Sequence, residues 1–328
     1  MTDPWERIVC ASKRGLYESN YLKANSPDGR RALWIKHNAL RSVEGEGMAE
    51  LWVVAYERGQ APIVAKREVP WTEVVVDPER IAFDAGGVSL RPDRATGTLA
   101  DLSWNLALSG GGPPLFHLPL VWMYEAGFPK KKALTPAPNL LFDGELRVGG
   151  EVWPVERWVG LRGHNWGTEH AHTYAYGSCN LWDDGDPDRT VDGFTVKVKL
   201  GGRPSPWLTA VVGRRPEIRR NRLRHWLGAG EVTADTWVVR WPGVHRRRAS
   251  LEMRCDPSTY AGLRYLHPDG RESYCYNTKF ADVRWSVGSE TFTSRCGELE
   301  VLVPEPLPGV PLHPTPGWDA REGDYRSE

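Results

Sequence analysis

The alternation of apolar and polar residues at every second position constrains this chain more than any other feature of its sequence. The segments RALWIKHNAL, MAELWVVAYERG and GFTVKVKL carry the pattern. Successive side chains of a β-strand point to opposite faces, so this period predicts half-buried strands. Separators such as NSPDGR, DAGG and SGGGPP supply the Gly, Pro, Asn and Asp that tight turns require. Many short antiparallel strands joined in this way predict a sandwich or a barrel.

Length and composition predict an all-β protein with two such units. The 328 residues include 16 Trp, 34 Gly and 26 Pro but only 4 Met, which favours short aromatic strands over a helix bundle. A barrel of about eight strands encloses packed side chains or one small ligand, and two barrels account for this length. We predict an N-terminal barrel over 12–135 and a C-terminal barrel over 140–305, joined at the proline-bearing stretch KKKALTPAPN and followed by an extended proline-rich tail over 306–328.

Charge and cysteine content exclude several classes of protein. The formal net charge is +0, from 42 basic and 42 acidic residues, and the arginines are scattered, so we expect no nucleic-acid partner. The N-terminus lacks an apolar signal region, and no run approaches the roughly 18 apolar residues that a membrane helix needs. Five widely spaced cysteines fit a reducing compartment, so we expect a cytoplasmic protein. We further expect a monomer or a homodimer.

No nucleotide or hydrolase signature is present. The sequence lacks a GxGxxG before a helix, a Walker loop and a GxSxG elbow. The aromatic content points to a different kind of ligand, although most of the tryptophans are expected to be packing. A barrel lined by several aromatic rings suits a polyene, terpenoid or polyketide, whose developing positive charge such rings also stabilise.

The densest cluster of polar and aromatic residues is GLRGHNWGTEHAHTYAYGSCNLWDD, over 160–184. Gly163 and Gly167 bracket His164, Asn165 and Trp166, which predicts a bend or bulge that aims these side chains away from a regular ladder. Imidazole and phenol groups at short range supply a general acid and a general base. The alternative is that each buried polar group only satisfies its own hydrogen bonds.

A strand that continues beyond Thr168 places four ring side chains on one face, which are His170, His172, Tyr174 and Tyr176. The pair His170-x-His172, with His164 or Glu169, also has ligand chemistry for zinc or iron. Because no second cluster supplies a clear fourth ligand, we expect no metal site.

With these residues in view, the chain resembles the double lipocalin-like family of carotenoid 1,2-hydratase (hydroxyneurosporene synthase), tocopherol cyclase and the lipocalin-like Diels–Alderases. The resemblance rests on GHNWG at 163–167, followed by an aromatic strand ending in Ser178-Cys179-Asn180, and on the opening GLYESNYLKANSPDGRRALWIKHNAL at 15–40. It implies two tandem lipocalin-like (calycin) antiparallel barrels packed together over about 12–305. It also implies a catalyst without a cofactor, acting on an apolar unsaturated substrate where the barrels meet.

The resemblance carries over to catalytic residues only in part. The hydratase uses a His-x-Trp pair, which His164 and Trp166 match, and a Tyr-x-Asp pair whose Asp is the proton donor. Asp192 lies at a comparable distance downstream, but Val191-Asp192 lacks the tyrosine. The alternatives that remain for the acid are Tyr174, Tyr176, Asp183 and Asp184.

Glu18 on the opening strand is a further candidate acid. It lies between Tyr17 and Tyr21, and a buried carboxyl group there suits proton donation. The alternative is an ordinary salt bridge to Lys23 or Arg14.

The prediction is therefore an enzyme of the lyase or isomerase kind that performs proton-initiated hydration, cyclisation or pericyclic rearrangement of a hydrophobic molecule. Its predicted catalytic residues are His164, Trp166, Glu18 and Tyr174. Its predicted substrate-binding residues are Asn165, His170, His172, Tyr176, Asn180, Trp182, Trp34 and Tyr21. The alternatives are a carrier of a lipid-like ligand without turnover and an inactive scaffold that binds a partner.

Overall fold

A computed structural model describes residues 3–168, 171–200, 203–221, 230–241, 248–266 and 272–313. Nearly all regular structure in these ranges is antiparallel β. In the described part of the chain, four short 3-10 turns accompany the strands, at Val9–Ala11, Trp71–Glu73, Val121–Tyr124 and Pro257–Thr259. None of the helices in the described ranges is long and apolar enough to cross a lipid bilayer.

The first sheet is built from twelve strands of the described chain. They are β1 (Leu16–Asn25), β2 (Arg31–Arg41), β3 (Gly47–Glu57), β4 (Ile63–Pro70), β5 (Val75–Val76), β6 (Phe83–Ala85), β7 (Val88–Leu90), β8 (Arg94–Leu99), β9 (Leu102–Gly111), β10 (Leu115–Phe116), β11 (Lys131–Val148) and β12 (Glu151–Gly167). The spatial order is β4-β3-β2-β1-β12-β11-β9-β8-β7-β6-β5, with β10 beside β11. The last strand of this half thus pairs with its first.

Among the described residues, the second sheet has ten strands, and a two-stranded ribbon accompanies it. The sheet contains β13 (Thr173–Cys179), β14 (Thr190–Lys197), β17 (Leu208–Arg214), β18 (Ile218–Arg220), β19 (Gly230–Val232), β20 (Thr236–Trp241), β21 (Ala249–Arg254), β22 (Ala261–Leu266), β23 (Glu272–Val287) and β24 (Glu290–Val303), and the ribbon contains β15 (Lys199–Leu200) and β16 (Arg203–Pro204). The spatial order is β18-β17-β14-β13-β24-β23-β21-β20-β19, with β22 beside β23. Both sheets curl into half-barrels, which confirms the predicted fold class.

The strand pairing divides the chain at a different point from the expected linker at 135–140. The stretch KKKALTPAPN begins β11, and β11 and β12 both belong to the first sheet, so the second sheet begins only at Thr173. Pro136 and Pro138 lie where the β11–β12 register shifts, between Leu134 and Leu140. A β-bulge tolerates proline because the residue there need not donate a ladder hydrogen bond. The prolines therefore mark bulges in a long strand.

Three apolar clusters hold the structure together, one inside each half and one between the sheets. The first half is filled by residues such as Trp104, Trp153 and Phe142, and the second by residues such as Trp237 and Trp285. A third cluster joins Trp34, Trp52 and Tyr56 of the first sheet to Tyr174, Leu263 and Leu302 of the second. Strands β1, β2 and β3 are consequently buried on both faces. Alternate side chains of these strands therefore enter two different buried regions, the interior of the first half and the space between the sheets.

Candidate active site

Gly163 of the GHNWG motif makes room for Tyr21. The two residues are paired across β12 and β1, and a Cβ at position 163 would lie 2.0 Å from the Tyr21 ring. Only glycine lets the phenol lie flat against the neighbouring strand. The motif therefore positions a tyrosine on the face that meets the second sheet.

His164 and Trp166 lie on the opposite face, inside the first half. His164 Nε2 is 2.7 Å from Glu18 Oε1, and the His164 and Trp166 rings are 4.6 Å apart. Trp166 also packs against Tyr124 within the first apolar cluster. Three of the four predicted catalytic residues thus form one buried group, while Tyr174 lies elsewhere.

Glu18 accepts hydrogen bonds from several donors. The backbone N–H groups of Val9 and Cys10 donate to its two oxygens at 3.0 and 2.7 Å, in addition to the His164 contact. Both oxygens are occupied, so the carboxylate fastens the N-terminal 3-10 turn to the barrel. Within the described ranges Glu18 makes no salt bridge with Lys23 or Arg14, contrary to that alternative. Its role as a proton donor stays a prediction.

A second polar group crosses from one sheet to the other. Tyr21 Oη donates to Tyr176 Oη at 2.9 Å, and Tyr176 donates to Asp192 Oδ2 at 3.0 Å. Asp192 also accepts from Thr135 Oγ1 at 2.5 Å, and its Oδ1 lies 2.8 Å from His117 Nε2. We call these five residues the junction network. Because Tyr21, Thr135 and His117 come from the first half and Tyr176 and Asp192 from the second, the network exists only when the halves are packed together.

The two phenols of the junction network are protonated and accessible. Burial, and then the negative charges of Glu298 and Asp192, raise the pKa of Tyr21 well above its usual value. Burial and the charge of Asp192 do the same to the pKa of Tyr176. Both side chains are nevertheless only half-buried, unlike Asp192 and His117. The two tyrosines therefore keep some accessible surface, whereas the carboxylate and the imidazole of the network are buried.

Tyr174 belongs to a neighbouring set of charged groups between the sheets. Its hydroxyl donates to Glu300, and Lys131 Nζ lies 4.8 Å from the centre of its ring. Lys36 Nζ donates to Tyr265 Oη at 3.0 Å. Burial lowers the pKa of Lys131 to about 8, although the charge of Glu300 opposes the change. Lysine groups thus line the same interface as the phenols.

The lowered pKa of Lys131 predicts a pH-dependent stability difference. The group titrates near pH 8 when folded and near its usual 10.5 when unfolded. Below pH 8 Lys131 is charged in the folded state, and burial of that charge lowers the free energy of unfolding. Between pH 8 and 10.5 the unfolded chain binds more protons than the folded one, so the free energy of unfolding rises with pH. The difference in free energy of unfolding between Lys131→Met and wild type, measured by urea unfolding, should therefore favour the variant most below pH 8 and decline above it. The exposed control Lys13→Met should show no such trend. A flat difference from pH 7 to 10.5 would contradict this.

A cavity of about 530 Å³ opens at the junction of the two halves. It is lined by the glycine-rich end of β9, by β11, by the loop after β13 and by the end of β17, and it includes Asn180 and Trp182. Asn180 holds this corner together, because its Oδ1 accepts from Lys23 Nζ at 2.9 Å and its Nδ2 donates to Pro138 O at 3.0 Å. The volume falls in the range of small-molecule sites.

The remaining predicted binding residues are dispersed. Trp34 is buried between the sheets, with Lys279 Nζ 5.5 Å from its ring centre. Asn165 is half-buried on the same face of β12 as Gly163. His172 precedes β13, and its backbone N–H donates to Lys197 O at 3.0 Å. His170 lies outside the described residues, so the alternative of a metal held by His170 and His172 is untested.

His117, Thr135 and Lys131 were missed by sequence reasoning, and Asp192 was set aside because no tyrosine precedes it. In the structure Tyr176 reaches Asp192 from the next strand, since β13 and β14 pair with Ser178 opposite Asp192. Tyr176 lies two residues before Ser178, the residue paired with Asp192. A search for Tyr-x-Asp within one strand overlooks a tyrosine on the neighbouring strand. His117 and Thr135 come from the other half of the chain and leave no local signal.

Three solved structures resemble the chain in fold. CghA with Sch210972 aligns over 88% of this chain and 88% of that chain, with a TM-score of 0.58 and 11% identity. Kievitone hydratase from Nectria haematococca covers 92% and 95%, with a TM-score of 0.51 and 9% identity. A protein of Nitrosomonas europaea with the provisional name AttH covers 87% and 91%, with a TM-score of 0.50 and 13% identity. No protein-family model matches the chain, and neither does any curated protein sequence. At these identities the likeness shows the fold alone.

Proposed function

We propose that this chain is an enzyme without a cofactor that moves a proton on an apolar, unsaturated small molecule held between its two half-barrels. The observation that carries the proposal is the junction network, which links Tyr21 to Asp192 and His117 through Tyr176. Buried polar groups that only stabilise a fold are usually shielded from solvent, whereas Tyr21 and Tyr176 keep accessible surface. Hydration and proton-initiated cyclisation are the reactions that such a network supports, because each begins with transfer of a proton to carbon.

The direction of the hydrogen bonds suggests how the network acts. Each hydroxyl donates toward Asp192. When Tyr21 Oη accepts a proton from the substrate, the Tyr21 proton moves to Tyr176 and the Tyr176 proton moves to Asp192. The Asp192–His117 pair thereby gains one proton. The reverse sequence returns a proton to another atom of the substrate and restores the enzyme. The raised pKa of both phenols keeps each hydroxyl protonated, so Tyr21 donates to Tyr176 and Tyr176 donates to Asp192 before the substrate delivers a proton.

The fold supports the proposal at a coarser level. One solved relative in fold is named as a hydratase and another was crystallised with a small molecule, Sch210972. Fold likeness by itself does not transfer an activity, because function depends on the residues of the site. The family suggested by the GHNWG motif and the N-terminal strand, that of the carotenoid hydratase and the lipocalin-like Diels–Alderases, is part of this proposal.

Solvent deuterium incorporation tests the proposal. The purified protein is incubated in deuterium oxide with polyenes and polyketides that carry a carbonyl or hydroxyl group, and products are analysed by mass spectrometry. We expect a product with a new, non-exchangeable C–D bond, and a loss of rate of roughly 100-fold or more in the isosteric variant Asp192→Asn. Equal rates in the two proteins, or a product without solvent deuterium, would overturn the proposal. Binding of these compounds in native mass spectrometry without any conversion would favour a carrier instead.

A further inference from the structure

One of the two arginines that line the cavity at the junction forms no salt bridge within the described residues. Arg214 and Arg215 both line it, together with Asp186 and Asp188. Arg215 lies 3.7 Å from Asp186 and 2.9 Å from Asp188, so its charge is compensated. Arg214 Nη2 donates to the carbonyl oxygens of Pro113 and Pro114, and within the described residues its guanidinium forms no ion pair. Arg214 therefore places a positive charge beside a largely apolar space, and Glu217 and Asp188 act on that charge without forming a salt bridge to it in the described residues.

The surroundings of Arg214 fit a charged ligand group. The side chain is half-buried, and burial lowers the pKa of its guanidinium, which stays protonated at neutral pH. A guanidinium removed from water in this way gains most from an anion that accepts two parallel hydrogen bonds. The Nε and Nη1 donors of Arg214 bond to no other group in the described part of the chain, so they are available for such an anion.

Asn139 supplies an independent sign of a polar ligand. It lines the same cavity and donates through Nδ2 to Pro187 O at 3.0 Å. Its Oδ1 is buried and accepts from no donor in the described residues. A buried amide oxygen without a donor is costly, and an N–H or O–H of a ligand relieves that cost.

The sheet register relates Arg214 to the junction network. Arg214 is paired with Thr190, and two residues further along the same ladder Val212 is paired with Asp192. Side chains two residues apart in a strand share a face and lie about 7 Å apart. Arg214 and Asp192 therefore extend from the same face of the sheet, at diagonally neighbouring positions of β17 and β14.

We infer that the cavity binds an apolar organic anion, a carboxylate or enolate, with a hydroxyl or N–H donor close to its acidic group. The apolar body occupies the space beside Trp182, Arg214 holds the anion, and Asn139 Oδ1 accepts from the donor. This inference rests on the proposed function. It names the chemical class of the substrate on which the junction network would act.

A matched pair of probes tests the anion. Binding of cis-parinaric acid and its methyl ester is measured by fluorescence with the wild type, Arg214→Gln and the exposed control Arg219→Gln. We expect the wild type and the control to bind the acid roughly 10- to 100-fold more tightly than the ester, and Arg214→Gln to lose this preference through weaker binding of the acid alone. Equal binding of acid and ester by the wild type, or an equal loss of both in Arg214→Gln, would overturn the inference while the ligand site stands. If neither probe binds, the ligand site and the inference fail together.

A second pair tests the donor. A 2-hydroxy fatty acid and its unsubstituted parent compete against cis-parinaric acid for the wild type and for Asn139→Leu. We expect the wild type to prefer the hydroxy acid by roughly 3- to 10-fold, as one hydrogen bond predicts, and Asn139→Leu to show no preference. The same preference in both proteins would remove Asn139 from the inference.

Discussion

Substitution of phenylalanine for Tyr176 is expected to slow proton transfer by roughly 100- to 1,000-fold, the range for loss of a general acid–base group. Within the described residues, Tyr176 links Tyr21 Oη to Asp192 Oδ2 through hydrogen bonds of 2.9 and 3.0 Å. The substitution removes one oxygen and leaves the ring in place, so the fold should change little. Deuterium incorporation into product, measured under single-turnover conditions, reports the step directly.

Tyr21→Phe should have an effect of similar size, because it removes the hydroxyl at which the network meets the substrate. If the two hydroxyls act in series, the double variant should be no slower than either single variant, since residues that act as a unit are not additive. Tyr274→Phe is the matched control, because Tyr274 is also half-buried but donates to Glu272 outside the network. A multiplicative loss in the double variant would show that the hydroxyls act separately, and a loss below about threefold in either single variant would remove the network from the chemistry.

Glu18→Ala is expected to lower the free energy of unfolding by about 3–5 kcal/mol, because each buried group left without its partner costs about 1–3 kcal/mol. The substitution leaves the Val9 and Cys10 N–H groups and His164 Nε2 without their acceptor. This is a large part of the roughly 5–15 kcal/mol that stabilises an ordinary domain. Urea unfolding should show a midpoint about 1 M or more below that of wild type.

The same variant separates a structural role of Glu18 from a catalytic one. The exposed control Glu46→Ala should stay within about 0.5 kcal/mol of wild type. At a temperature where Glu18→Ala is folded, we expect its rate of deuterium incorporation to stay within about threefold of wild type, because Glu18 lies on the face of β1 away from the junction network. An unchanged urea midpoint would contradict the anchoring role, and a rate loss near 100-fold in folded protein would restore Glu18 as a proton donor.

The fold was predictable because alternation and turn residues are local properties of the sequence. Alternation also predicted that Tyr174 and Tyr176 share a face, and both lie between the sheets. Pro136 and Pro138 lie at bulges in β11, since proline marks a bulge in a strand as readily as a linker, and the domain bounds drawn from them stay a prediction.

The site was less predictable, because alternation assigns side chains to two faces without saying which face another sheet covers. Glu18 and Tyr21 lie on opposite faces of β1, and the second sheet packs on the face of Tyr21. His164 and Tyr21 therefore belong to different environments although Tyr21 pairs with the adjacent Gly163. The junction network needed Thr135 and His117 from the first half beside Asp192 of the second, a contact that only tertiary packing creates.

The position of a bound ligand tests the central claim most directly. A crystal structure of the protein with cis-parinaric acid should show the ligand at the junction of the halves, in contact with Asn180 and Trp182 of the cavity and extending from it to the side chains of Tyr21 and Tyr176. Ligand density inside the first half, against His164 and Trp166 and away from both tyrosines, would contradict the account.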